Sequence, residues 1–165
     1  MEKGSVKIIA FSDKGVEVSA LGGRISTGKG TALEMFTALA VSGTGLFREC
    51  YTRVLLDCDG VVRTPEIDPT NELDVVAMYG PVPLFISCKN TEATKEYLYE
   101  ISTMAQHYGG KYGIPMLVTS RPAPDTVRER AREMGILIAD NVEALSLRQF
   151  REALCGIIKG ALRDN

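Results

Sequence analysis

The sequence predicts an α/β fold: one mixed central β-sheet flanked by helices, in the order α-β-β-β-α-β with an α-β-α extension. Three observations predict it. Three strand-like runs, Tyr51–Leu56, Leu73–Tyr79 and Leu84–Cys88, follow one another with only turn-rich segments between them. Helical apolar stripes flank these runs on both sides, with Leu33, Phe36 and Ala40 before them and Leu98, Ile101, Ala105 and Tyr108 after them. Beyond these, the chain alternates strand and helix to its end, the pattern of a sheet covered by helices. With 165 residues, 45% of them hydrophobic and 24% charged, the chain has the length and composition of one soluble globular domain.

The elements follow in order. Val6–Leu21 alternates polar and apolar residues around Asp13-Lys14-Gly15, which predicts a small hairpin and an accessory segment over 1–22 ahead of a main domain over 23–165. Gly22–Gly30 reads as a loop. Thr31–Val41, rich in Ala, Leu, Met and Phe, reads as a helix carrying Glu34. The three strands form a meander, with turns at Asp57-Cys58-Asp59-Gly60 and at Gly80-Pro81-Val82-Pro83. Asn90 or Thr91 is placed to cap a helix running to Tyr108, which Gly109-Gly110 ends. Met116–Thr119 is a strand, Pro124–Met134 a helix and Ile136–Ala139 a short strand. A last helix opens at the capping box Ser146-Leu147-Arg148-Gln149 and buries Phe150, Leu154, Ile157 and Ala161.

Composition narrows the function classes. The net charge of −2 leaves no global basic field, so a polyanionic partner needs a local patch. Cys50, Cys58, Cys88 and Cys155 form no CxxC pair, and His107 is the only histidine, so a structural zinc site lacks ligands. No apolar run reaches the ~20 residues of a membrane span, and the reading is a cytoplasmic protein with no membrane partner.

The chemistry centres on two strands. Asp74 sits near the start of one, and Ser87 and Lys89, two residues apart, share a face of the next. A carboxylate that binds a divalent cation, beside a lysine that steadies developing negative charge, is the equipment for phosphodiester hydrolysis. Asp and Lys at strand ends also serve simply to keep an edge soluble. The order of elements around them, a helix with Glu34 followed by three strands and a helix, fits a single site.

At these residues the sequence resembles a known family. The run Asn71-Glu72-Leu73-Asp74-Val75, the segment Phe85-Ile86-Ser87-Cys88-Lys89, the helix end Tyr108-Gly109-Gly110-Lys111, the strand Met116–Ser120 and Arg130-Ala131 before Gly135-Ile136 are similar to the nuclease domain of CRISPR-associated CARF-domain nucleases. These belong to the restriction-endonuclease-like PD-(D/E)xK superfamily. The resemblance covers Gly28 to Leu154. It implies a restriction-endonuclease-like core and an endonuclease acting on DNA or RNA with Mg2+ or Mn2+, in CRISPR-linked or other defence, and by analogy a homodimer.

The resemblance assigns Asp74 as the metal-binding aspartate, Lys89 as the catalytic lysine and Glu34 as the helix glutamate of the metal shell. Ser87 stands where the family has glutamate, and a hydroxyl is a poorer ligand for a hard cation than a carboxylate. In some restriction enzymes of the superfamily a glutamate from the following helix replaces it, which points here to Glu96 or Glu100, with Glu100 preferred. The same substitution makes a catalytically inactive nucleic-acid-binding or assembly module the alternative. The family's sensor domain, which binds cyclic oligoadenylate, has no counterpart in the residues ahead of Glu34.

Three lesser features complete the reading. Val54–Val62 contains Asp57-Cys58-Asp59-Gly60, the opening of haloacid-dehalogenase-like phosphatases, without their downstream lysine and acidic pair. Gly23–Thr31 is near to a phosphate-binding P-loop but has Gly30 where Ser or Thr must follow the lysine, so a flexible surface loop is expected. Lys111, Arg121 and Arg128 are the expected phosphate-binding cations within the densest basic part of the chain.

Overall fold

The computed structural model describes residues 7–12, 15–20, 23–26, 29–56 and 71–164. Its first part is a three-stranded antiparallel sheet, β1 (Lys7–Ser12), β2 (Gly15–Ala20) and β3 (Gly23–Ser26). The helix α1 (Lys29–Gly43) leads into β4 (Glu49–Leu56), β5 (Asn71–Tyr79) and β6 (Val82–Lys89). Then come α2 (Lys95–Gly109), β7 (Ile114–Thr119), α3 (Asp125–Glu133), β8 (Leu137–Ala139) and α4 (Leu147–Asp164).

The main sheet runs β4-β5-β6-β7-β8. β4, β5 and β6 are the expected antiparallel meander, while β7 and β8 are added in parallel, each after a helix. The β5–β6 turn leaves only Gly80 and Pro81 between the paired Tyr79 and Val82, and Gly80 supplies the positive φ of 57° that so tight a reversal needs.

The two faces of the sheet are covered separately. On one, Leu33, Phe36 and Val41 of α1 and Phe150, Leu154 and Ile158 of α4 pack on Val75, Ile86 and Met116. Phe36 and Phe150 stack at 5.4 Å between ring centroids. On the other, Leu98, Ile101 and Ala105 of α2 and Val127 of α3 cover Phe85 and Leu117. Each fully buried large side chain contributes roughly 1.5–3 kcal/mol. α4 starts with the expected capping box: Ser146 N–H donates to Gln149 Oε1 at 2.9 Å and Gln149 N–H donates to Ser146 Oγ at 3.3 Å.

Three local expectations are corrected. Gly23–Ser26, expected as flexible loop, is β3 and pairs with β2 in the register Ala20↔Gly23, and the helix already begins at Lys29; four residues, the first a glycine, are too short to signal a strand. α2 begins at Lys95, with Thr94 rather than Asn90 or Thr91 at its cap. The residues before it fasten the ends of β6 and β7, since Ser120 N–H donates to Lys89 O and Arg121 N–H to Thr91 O, and Ala93 is buried. In α4 the fully buried line is Phe150, Leu154 and Ile158, while Ile157 and Ala161 lie half-buried on its flank.

Candidate active site

The site forms where the sheet comes apart. The β5–β6 ladder stops at Val75↔Ile86. One residue beyond, the Asp74 side chain takes the place of a backbone partner: Cys88 N–H donates to Asp74 Oδ2 at 2.6 Å, and Ser87 Oγ–H donates to the same oxygen at 3.3 Å. On the other side of Asp74, the β4–β5 ladder is interrupted at Arg53, which has φ of 54°. A non-glycine residue in that region costs of order 1–3 kcal/mol and persists only when its surroundings demand it. The period-two alternation slips here as well, because Leu73 and Val75 belong to opposite cores.

The gap opens on the α2 side into a cavity of about 650 Å3. Asp74, Ser87 and Lys89 line it from the strands, and Glu96, Tyr99 and Glu100 line it from α2. Lys89 Nζ lies 3.4 Å from Glu100 Oε2 and 4.8 Å from the centroid of the Tyr97 ring. Glu72 lines the same cavity two residues before Asp74, and Arg53 Nε donates to Glu72 Oε1 at 3.0 Å.

The electrostatics are short of positive charge. Burial raises the Asp74 carboxyl above its ordinary pKa and outweighs the Cys88 N–H, Lys89 and Ser87, which favour its charged form. Glu34 is also raised, by burial first and then by the Asp74 and Glu72 carboxylates, with Arg53 opposing. Cys88 between them is no nucleophile: burial pushes its thiol far up, and it bonds to Thr37 Oγ1 at 3.5 Å.

Of the sequence-predicted residues, Asp74, Ser87, Lys89 and Glu100 meet in one cavity together with Glu96, whereas Glu34 approaches Asp74 from α1 without lining that cavity. Among the described residues, no three His, Cys, Asp or Glu side chains stand close enough to hold a metal ion. Sequence reasoning missed Glu72, although it stands two residues before Asp74 in the run Asn71-Glu72-Leu73-Asp74. It also missed Arg53, for whose backbone no sequence signal exists.

The three predicted phosphate-binding cations do not form one patch. Lys111 precedes β7 and Arg121 follows it, at opposite ends of the strand. Arg128 is paired within the chain: Nη2 lies 2.6 Å from Asp140 Oδ2 and Nε donates to Ala123 O at 3.1 Å, fastening the start of α3 to the end of β8. His107 is exposed, does not line the Asp74 cavity, and meets Tyr108 edge-on. Asp57 and Asp59, the residues of the phosphatase-like motif, lie outside the described residues.

The sequence from 24 to 154 matches a family model described as Card1-like, endonuclease domain. No curated protein matches it. Among solved structures, the chain is similar to protein VC1899 from Vibrio cholerae, with a TM-score of 0.66 and 22% identity over 81% of this chain and 35% of that one. It is also similar to Can2 from Sulfobacillus thermosulfidooxidans, solved in complex with cyclic tetra-adenylate, with a TM-score of 0.61 and 19% identity over 79% of this chain and 36% of that one. A third likeness, to the protein of unknown function AF1548, has a TM-score of 0.50 and 19% identity over 73% and 66% of the two chains. These likenesses are of fold, and the chain spans about a third of the length of the first two structures.

Proposed function

Since this chain belongs to the Card1-like endonuclease domain family, we propose that it is a divalent-metal-dependent nuclease that hydrolyses phosphodiester bonds of DNA or RNA at the Asp74–Lys89 cavity. The observation that carries this reading is the meeting of Asp74, Ser87, Lys89 and Glu100 where β5 and β6 separate. Partly buried carboxylates with raised pKa values and too little counter-charge are donors suited to a hard cation. Asp74 and Glu34 are the residues to hold Mg2+ or Mn2+, with Glu100 as the third carboxylate in place of the one Ser87 lacks. Such an ion, when bound, polarises a phosphoryl oxygen and lowers the pKa of a bound water.

The rest is the work of the chain's own groups. Asp74 is aimed by Cys88 N–H and Ser87 Oγ–H, which fix one carboxylate oxygen and leave the other for a ligand. Lys89 sits at the cavity wall, where its ammonium can steady negative charge developing on the phosphoryl group. Its present partner Glu100 must exchange Lys89 for the cation, so the Lys89–Glu100 pair is a resting arrangement in this reading.

Two features favour a second reading, a nuclease fold that binds nucleic acid without cutting it: the hydroxyl at Ser87 and the lack of a three-donor group among the described residues. One experiment separates the two. The full chain is incubated with single- and double-stranded DNA and RNA and Mn2+ or Mg2+, beside Asp74→Ala, Lys89→Ala and Glu100→Gln. Cleavage lost in all three supports the nuclease. Full cleavage by Glu100→Gln sinks the recruited glutamate, and binding without any cleavage by wild type supports the inactive module.

A further inference from the structure

A second cavity, of about 690 Å3, lies at the opposite end of the sheet from the candidate active site. Its floor is β8 and the start of β7, and its walls are α3 and α4. Along β6 and β7, Leu84 pairs with Ile114 at this end and Lys89 with Thr119 at the other, so the two cavities stand roughly 16 Å apart along the strands at ~3.3 Å per residue.

The two cavities have opposite charge. Glu72, Asp74, Glu96 and Glu100 face Lys89 in the first. Lys111, Arg128 and Arg132 line the second, and no Asp or Glu does. Arg128 is neutralised by Asp140, but no carboxylate among the described residues pairs with Lys111 or Arg132. Lys111 instead lies 4.9 Å over the ring of Tyr112, which is 60% exposed. Ile138 and Ile157 supply an apolar floor and wall. Gly160 in α4 borders the space, and a Cβ built on it meets nothing within 4 Å, so this helix-weakening glycine relieves no clash inside the chain and leaves the cleft open.

We propose that this cleft anchors a nucleotide of a nucleic-acid strand, with its base against Tyr112 and the apolar floor and its phosphate between Lys111 and Arg132. The proposal rests on the nuclease reading for its purpose, because an acidic catalytic cavity repels a polyanion that must be held elsewhere on the same chain. A flat aromatic ring beside two cations suits a base and its phosphodiester. An acidic peptide fits less well, since main-chain pairing along β8 has only three residues to use.

The test is equilibrium binding of the full chain to a fluorescent oligonucleotide in EDTA, so that cleavage plays no part. Arg132→Glu, Lys111→Glu and Gly160→Leu are compared with Arg151→Glu, an exposed charge control elsewhere on α4. Each of the first three should weaken binding about tenfold or more, with a shallower salt dependence for the two charge variants, while the control stays within about twofold. Unchanged binding by Gly160→Leu, equal losses in the control, or an acidic peptide competing where oligonucleotides do not bind would each overturn the proposal. Binding that depends on the cleft in a wild type that cuts nothing when Mn2+ or Mg2+ is supplied leaves the anchor standing and removes the nuclease reading instead.

Discussion

Replacing Asp74 with asparagine should raise the stability of the protein, and replacing it with alanine should lower it. In the folded chain this carboxyl has a raised pKa, caused first by burial. The folded state therefore binds the Asp74 proton more tightly than the unfolded state, whose aspartates titrate near ~3.9. The contribution of Asp74 to stability is thus fully present below that range and is lost as pH rises through the folded pKa, because the charged form is then held in poor surroundings. Asparagine keeps an oxygen for Cys88 N–H, bonded at 2.6 Å, and removes the charge. The gain should be up to ~1 kcal/mol, or about 2–4 °C in Tm for a chain of this size. Alanine strips Cys88 N–H of its acceptor, which costs about 1–3 kcal/mol and outweighs the relief of charge.

The assay is thermal unfolding followed by circular dichroism for wild type, Asp74→Asn and Asp74→Ala, at about pH 7.5 and again at about pH 4.5. The expected order at the higher pH is Asn, Asp, Ala from most to least stable. On acidification the Asn–Asp gap should narrow, because protonation of Asp74 relieves the charge that burial disfavours. An asparagine variant that melts below wild type at neutral pH, or a gap that ignores pH, would refute the claim that Asp74 is held at a cost. The same proteins test the metal: Mn2+ at about 100 times its Kd should stabilise wild type by roughly 2.7 kcal/mol and leave Asp74→Asn nearly unmoved.

Three further outcomes follow from the packing. Ser146→Ala breaks the reciprocal cap of α4 and should cost about 1 kcal/mol, read as a loss of about 2–4 °C in Tm. Gly113→Ala would set a Cβ 2.5 Å from the Ala105 carbonyl oxygen and 3.1 Å from Phe85 Cε2, and calorimetry should show a loss of about 1–3 kcal/mol. Asp140→Ala removes the acceptor of both Ala123 N–H and Arg128, each at 2.6 Å, and urea unfolding should report a loss of about 2–3 kcal/mol, with Arg128→Ala the milder of the two.

Much of the fold was legible because it rests on periodicity. Leu98, Ile101 and Ala105 mark one face of α2, and the alternation around Phe85, Ser87 and Lys89 puts these three on the α2 side of the sheet. The capping box of α4 is a local pattern with a local cause and appears as expected. What escaped depends on contacts distant in sequence. The start of α2 was misplaced because Thr91 and Lys89 are spent on Arg121 and Ser120, some thirty residues away. Arg128 looked like a free cation because nothing local announces its pairing with Asp140. Arg132, which faces open space in the second cavity, sits in the same helix with the same charge, so only the tertiary fold distinguishes them.

The departure at Ser87 has a physical logic that the structure brings out. A strand pair opened to admit Asp74 has to replace the lost ladder bonds, and the Asp74 carboxylate does so by accepting Cys88 N–H. That leaves a charge partly buried near Glu34 and Glu72, with one lysine beside it. A glutamate at position 87 would place another negative charge against Asp74 and raise its pKa further. The serine hydroxyl instead donates to Asp74 Oδ2 and favours the charged form. Ser87 thus acts as a donor that partly offsets the burial of Asp74, and on the nuclease reading proposed above a further carboxylate has to come from α2. Glu100 faces the same cavity from that helix, 3.4 Å from Lys89 Nζ. On the nuclease reading proposed above, Lys89 and a cation compete for Glu100, and activity turns on that competition.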